Sequence, residues 1–78
     1  MMPLIYGEPG KQYEIVSIFG GRGLAKKLLE MGIRPGEIIK IVSNSFGGPI
    51  LLAINNSRIG IGRGMAGKII IKPLERRY

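Results

Sequence analysis

Six residues near the end of the chain, 62–67, have the sequence GRGMAG and fit the pattern G-x-G-x-x-G. In a dinucleotide-binding site such glycines follow a strand and open a helix, whose N-terminus receives the pyrophosphate. Here residues 68–72 follow, and their three adjacent isoleucines favour a strand. Only 11 residues remain after Gly67, too few for a strand–helix–strand unit, and no G-K-[ST] sequence occurs. The sequence therefore predicts no nucleotide site and no cofactor.

The same glycines have a structural interpretation. Gly60, Gly62 and Gly64 alternate, so they would share one face of a strand and its continuation. Such a face predicts either close approach of another backbone or helix, or a sharp bend at the corner of a barrel. Ile59 and Ile61 would then face the core.

Residues that commonly perform catalysis are scarce. The chain has no histidine and no cysteine, which removes the commonest transition-metal ligands and the base of a serine–histidine nucleophile. Its five acidic residues show no spacing that predicts an acid–base pair. We therefore expect no catalytic residues, no metal ligands and no enzymatic activity.

The charge of the chain favours an acidic partner. Twelve lysines and arginines against five acidic residues give a net charge of +7 over 78 residues. A small basic barrel that binds RNA or DNA is one candidate, but the aromatic residues are far apart and not interleaved with basic ones. The apolar runs are too short to cross a membrane, and no signal peptide is recognised, so we expect a cytoplasmic protein.

Periodicity and turn residues predict one domain over residues 1–78. We expect an extended arm over 4–10 that ends in a Pro-Gly turn, and one helix over 22–31 with Gly32 as its C-cap. One turn of 3₁₀ helix or a compact loop is expected over 63–66, and residues 74–78 are expected to form a mobile tail. The predicted strands are 11–19, 38–43, 50–54, 57–62 and 67–72. This order predicts a mainly β fold, a five-stranded SH3-like barrel with one short helix inserted after the first strand, whose closure hides the strand edges.

The predicted helix carries an apolar stripe wider than a small barrel needs to plug one end. Either the whole stripe packs inward, or one edge of it, at Leu28 or Met31, stays exposed as a docking patch beside Lys26 and Lys27. Met65 could extend the patch, since methionine suits adaptable apolar surfaces. The candidate partner-binding residues are Leu24, Lys27, Leu28, Met31, Arg63 and Met65.

Two segments carry a resemblance to a known family. Residues 20–42, GGRGLAKKLLEMGIRPGEIIKIV, resemble the FeoA family of ferrous iron transport accessory proteins, whose short helix ends in Leu-x-x-Met-Gly-(Ile/Leu) before x-Pro-Gly. Residues 47–71, GGPILLAINNSRIGIGRGMAGKIII, are similar to the closing segment of that family. The matching positions are Leu28, Met31, Gly32, Ile33, Pro35 and Gly36 in the first segment, and Gly48, Pro49, Arg58, Ile59, Gly60, Arg63 and Ala66 in the second.

The resemblance implies an SH3-like barrel that docks in the cytoplasm on FeoB, a membrane ferrous iron transporter with a cytosolic GTPase domain, and regulates it. Whether the GTPase domain or the membrane part is contacted, and whether transport is activated or inhibited, stays open. The family is also associated with binding of transition-metal ions, for which this chain offers only carboxylates and backbone oxygens. Unpaired strand edges would allow a homo-oligomer, and the sequence fixes no oligomeric state.

Overall fold

A computed structural model describes residues 1–74. Its six strands form a single antiparallel sheet that curls into an SH3-like barrel. The spatial order of the strands is β1-β6-β2-β3-β4-β5. In chain order the elements are β1 (Met2–Pro3), a 3₁₀ turn (Leu4–Tyr6), β2 (Gln12–Ile18), α1 (Gly21–Glu30), β3 (Ile38–Asn44), β4 (Ile50–Ile54), β5 (Ser57–Ile61), α2 (Arg63–Ala66) and β6 (Ile69–Pro73).

Alternation of side chains along each strand builds the core. In β4, Ile50, Leu52 and Ile54 point inward and are buried, whereas Leu51 and Ala53 lie on the outer face and are half-buried. The other central strands contribute β-branched residues to the same interior. The buried residues are Leu4, Tyr13, Ile15, Leu28, Ile33, Ile39, Ile41, Ile50, Leu52, Ile54, Ile61, Ala66, Ile69 and Ile71.

Two β-bulges help the sheet to curl. The sequence Ile-Val-Ser occurs in β2 and again in β3, and in both strands the pairing register shifts between the isoleucine and the serine. The valine, Val16 or Val42, is the extra residue. Because a bulge bends its strand and increases the local twist, two bulges in neighbouring strands favour a closed shape over a flat sheet.

The C-terminus of α1 forms a Schellman motif, which confirms the predicted C-cap at Gly32. The Gly32 N–H donates to Leu29 O and the Ile33 N–H to Leu28 O, both at 2.9 Å. Gly32 has a φ of +82°, a left-handed conformation that glycine adopts without a Cβ clash. Leu28 and Ile33, the pair that this motif brings together, are both buried in the core. The cap therefore fixes the angle at which the helix returns to the barrel.

The predicted helix and five strands are confirmed, and none of their ends differs from the prediction by more than two residues. Residues 63–66 form a turn of α-helix where a 3₁₀ turn or a compact loop was predicted. The predicted extended arm is wrong at its start, because Leu4 is buried and begins a 3₁₀ turn. The short strand β1 was not predicted. Leu74 is held by a hydrogen bond from its N–H to Gln12 O at 3.2 Å, and the rest of the expected tail lies outside the described residues.

Gly20 and Gly23 allow a matched test of how α1 begins. Gly20 has a φ of +106°, and a Cβ there would lie 2.8 Å from Leu24 Cδ2 and 3.0 Å from Lys68 Cδ. Gly23 lies inside the helix, and a Cβ there would meet nothing within 4 Å. We expect Gly20→Ala to lower the free energy of unfolding by about 1–2 kcal/mol or more. Gly23→Ala should raise it by about 0.5–1 kcal/mol. Urea unfolding followed by circular dichroism measures both, and equal effects would contradict this account.

Candidate docking surface

The Arg63 side chain is half-buried and is fixed in place by two hydrogen bonds. Its Nη2 donates to Asn44 Oδ1 at 2.7 Å and to Ser45 O at 2.6 Å. Asn44 in turn donates from Nδ2 to Ile5 O at 3.0 Å and to Gly7 O at 2.8 Å. Arg63, predicted as a docking residue, therefore has a structural role that its sequence context did not indicate.

Arg63 also carries an unsatisfied donor. Among residues 1–74, its Nε is the one buried side-chain nitrogen or oxygen that lacks a hydrogen-bond partner. A buried donor without a partner costs free energy. The guanidinium is therefore only partly satisfied, and both of its hydrogen bonds within residues 1–74 come from a single nitrogen, Nη2.

The exposed face of α1 differs from the predicted docking patch. Leu28 has 0% exposure and belongs to the core, so the expectation that it stays exposed is wrong. Its neighbour Leu29 is 53% exposed. At about 100° per residue, Arg22, Lys26 and Leu29 lie within roughly 60° of one another, on a face of the helix that is turned away from Leu28. The apolar residue available to a partner on this helix is therefore Leu29, which a helical projection of the sequence could have indicated.

The other predicted docking residues fall into two groups. Lys27 is exposed on α1, on the flank of the helix between its buried and exposed sides. Leu24, Met31 and Met65 are half-buried and pack against the core. Their role in docking stays a prediction, and only their outer atoms are accessible to a partner.

Within residues 1–74, the exposed basic residues that form no ion pair lie in two areas. One is around α1, and the other is on the outer face of the sheet at β3 and β5. Lys11 pairs with Glu8 at 2.6 Å, Arg34 with Glu37 at 3.0 Å and Lys72 with Glu14 at 4.0 Å. The Lys11 ammonium donates a hydrogen bond to Glu8, which raises the pKa of Lys11 above its ordinary value. The exposed basic residues that have no acidic partner among residues 1–74 are Arg22, Lys26, Lys27, Lys40, Arg58 and Lys68.

The first of these areas surrounds α1. Three of its basic residues lie on the helix, and Lys68 lies beside it, since Lys68 Cδ comes within 3.0 Å of a Cβ built on Gly20. The helix begins without a side-chain cap and without an acidic residue in its first turn. Its N-terminal dipole is therefore not offset by negative charge of its own, and the region attracts acidic groups.

The glycine-rich segment does not have the strand–turn–helix structure of a dinucleotide fingerprint. Residues 63–66 form the four-residue helix α2, and the strand β6 follows where a dinucleotide fingerprint would need a long helix. The predicted close approach of another segment to the glycines is wrong: a Cβ on Gly62 or Gly64 would meet nothing within 4 Å, and one on Gly60 only Pro49 Cβ at 4.0 Å. The inward direction of the neighbouring isoleucines is confirmed, since Ile61 is buried and Ile59 packs against the core.

The part of the chain that the structure describes holds no group of three or more acidic residues placed to bind a metal ion. Its helices are also too short to cross a membrane, since the longer of them, α1, has ten residues. Among the aromatic residues considered for nucleic-acid stacking, Tyr13 is buried and its hydroxyl accepts a hydrogen bond from the Glu8 N–H at 2.9 Å.

Comparison with known proteins identifies the family. The model of the FeoA domain matches residues 2–73. The chain belongs to the FeoA family. It is 35% identical over 75 residues to the "Putative Fe(2+) transport protein A" of Methanocaldococcus jannaschii, covering 96% of this chain and 90% of the relative.

Solved structures of FeoA proteins share the fold. A crystal structure described as an iron uptake regulatory protein (FeoA) superposes with a TM-score of 0.84 at 34% identity, covering 94% of this chain and 96% of the other. The solution structure of iron(II) transport protein A from Clostridium thermocellum gives a TM-score of 0.86 at 32% identity, covering 94% of this chain and 46% of the other. The expected SH3-like barrel of the family is thereby confirmed.

The Arg63 network generates a stability prediction. A lysine at this position would supply one ammonium for the two acceptors that Nη2 now serves, and it would remove the unsatisfied Nε. We expect Arg63→Ala to cost about 1–3 kcal/mol of unfolding free energy, and Arg63→Lys about 1 kcal/mol or less. Combined with Asn44→Ala, Arg63→Ala should be non-additive in a double-mutant cycle of urea unfolding. Additive losses would show that the two side chains do not act together.

Proposed function

We propose that this FeoA-family chain is a cytoplasmic accessory protein of ferrous iron uptake that docks on a FeoB-type transporter through the exposed face of α1. The family membership and the names of the relatives, which refer to iron transport and iron uptake, support the iron-uptake part of this proposal. The docking part rests on one observation. Leu29, which is 53% exposed, lies on the same helical face as Arg22 and Lys26.

The composition of this face suits a protein partner with an acidic surface. An exposed leucine supplies apolar area, and the basic residues around it supply steering and register. Lys27 and Lys68 extend the positive field along the flank and the start of α1. Contact with such a partner would bury the leucine and offset charges that have no acidic partner within residues 1–74.

Binding of RNA or DNA is the alternative function. It would use the same unpaired basic residues, but its affinity would fall steeply with salt because each phosphate contact releases counterions. A titration of ¹⁵N-labelled chain with the transporter's cytosolic domain, repeated with short single-stranded RNA, separates the two. Shifts confined to α1 with the transporter domain alone support the proposal. Salt-sensitive shifts with RNA alone would replace it.

The adjacent residues Leu28 and Leu29 give a matched pair of variants. Leu29→Ala removes an exposed side chain, so we expect the unfolding free energy to change by no more than about 0.5 kcal/mol. The same variant should weaken binding to the transporter domain by about fivefold to tenfold, which corresponds to ~1–1.4 kcal/mol. Leu28→Ala should instead cost about 2–5 kcal/mol of stability, because it leaves a cavity in the core. Isothermal titration calorimetry with unchanged affinity for Leu29→Ala would remove Leu29 from the interface.

Charge reversal at Lys27 tests the electrostatic part. We expect Lys27→Glu to weaken binding of the transporter domain by about tenfold at low salt, with a smaller effect as salt screens the interaction. Lys11→Glu is the control, because it changes the net charge equally at an exposed position in the turn before β2. Equal losses in both variants would indicate a general charge effect and no defined site. An unchanged affinity in Lys27→Glu would exclude Lys27 from the docking face.

A further inference from the structure

The strand β5 lies at one end of the spatial order of the sheet and presents an open edge. Its register with β4 runs without interruption from Ile54↔Ser57 to Ile50↔Ile61. In a hairpin with a two-residue turn, the pair next to the turn is hydrogen-bonded and the pairs then alternate. Ser57, Ile59 and Ile61 therefore bond to β4, whereas the N–H and C=O of Arg58 and Gly60 point away from it.

These outward groups are accessible. Arg58 and Gly60 are both exposed, and within the described part of the chain neither makes a backbone hydrogen bond on the outer side of β5. Two donors and two acceptors are thus arranged at the spacing of a strand, which is the pattern that an added strand would satisfy.

The opposite edge of the sheet is blunted. It is formed by β1, which has only two residues, and one of them is Pro3, which has no N–H to donate. The β5 edge lacks two of the usual protections against pairing, since its five residues include no proline and its pairing with β4 contains no bulge. The barrel was predicted to hide its strand edges, and at β5 it does not.

The surface beside β5 defines the chemistry of a strand that would fit there. Lys40, Ala53 and Arg58 form a row across the outer face of the sheet, and residues 38–61 contain no acidic residue. Next to Arg58 on the same face, Gly60 has no side chain, and the space above it is bordered by Leu51 opposite and by Pro49. An acidic side chain suits the position opposite Arg58, and an apolar side chain suits the position over Gly60.

We propose that the β5 edge binds an extended acidic segment of another protein, which adds to the sheet as an antiparallel strand. Its sequence would follow the pattern apolar-x-acidic from N- to C-terminus, with the apolar residue over Gly60 and the acidic residue opposite Arg58. A second copy of the chain is a poorer occupant, because each copy carries a net charge of +7. The proposal does not depend on the role in iron uptake and uses a surface other than the α1 face.

A peptide titration tests this proposal. The probe is the blocked peptide Glu-Ser-Val-Thr-Glu-Ser-Glu, added to the ¹⁵N-labelled full chain. We expect amide shifts concentrated on β5 and slower hydrogen exchange at the Arg58 and Gly60 amides. N-methylation of the peptide at its valine and at the glutamate two residues later removes the two N–H donors that face β5, so it should abolish binding. N-methylation at the threonine, which faces away, should preserve it. Equal binding of the two methylated peptides would overturn the proposal in favour of charge attraction alone.

Variants of the protein supply the second arm. Arg58→Glu should weaken the peptide's affinity by about tenfold or more at low salt, whereas the matched charge change Lys11→Glu should have little effect. Gly60→Pro should also prevent binding, because it removes an outward N–H that β4 does not use. If Gly60→Pro does not fold, Arg58→Glu still decides the outcome. Absence of any shift at millimolar peptide would overturn the proposal. So would β5 shifts that depend on protein concentration without peptide, which would identify a second copy as the occupant.

Discussion

Asn44 holds three separate parts of the chain together with one side-chain amide. Both of its N–H groups are used, on the carbonyls of Ile5 and Gly7, and its oxygen accepts from Arg63. The residues it joins lie before β2, at the end of β3 and at the start of α2. Because β1 and β5 do not pair with each other, this contact supplies part of the closure that a continuous ladder would give a sealed barrel. The 3₁₀ turn and α2, which this contact links, each bury one side chain in the core, Leu4 and Ala66.

The basic residues of this molecule have different surroundings, and only some of them are available to a partner. Lysine and arginine residues that lie close to glutamates form local pairs, and Arg63 is engaged with neutral acceptors. Within residues 1–74, the remaining basic residues lie either around α1 or on the outer face of β3–β5. The unpaired positive charge of the described residues is therefore concentrated in two areas, each next to an incompletely covered element.

The sequence allowed most of the barrel to be predicted, because alternating isoleucines and leucines, glycine caps and Pro-Gly turns act locally. It did not indicate β1, whose two residues carry no periodicity and pair with β6 at the other end of the chain. Nor could it indicate the role of Arg63, since the partners Asn44 and Ser45 are 19 and 18 residues away. The exposed leucine of α1 is Leu29, whereas the sequence left Leu28 as a candidate for exposure. A helical projection separates the two, because Leu28 shares its side of the helix with Leu24 and Met31, which pack against the core.

The helix α1 is attached to the barrel by little buried surface. Leu28 is its only fully buried side chain, and left-handed glycines, Gly20 and Gly32, stand at its two ends. An element of this kind opens at a lower free energy than the strands it rests on, so its amides should lose protection while the sheet remains intact. The surface of α1 can thus be reshaped, during binding or over evolution, with small consequence for the stability of the barrel. The fold separates the part of the molecule that must persist from the part that is free to change.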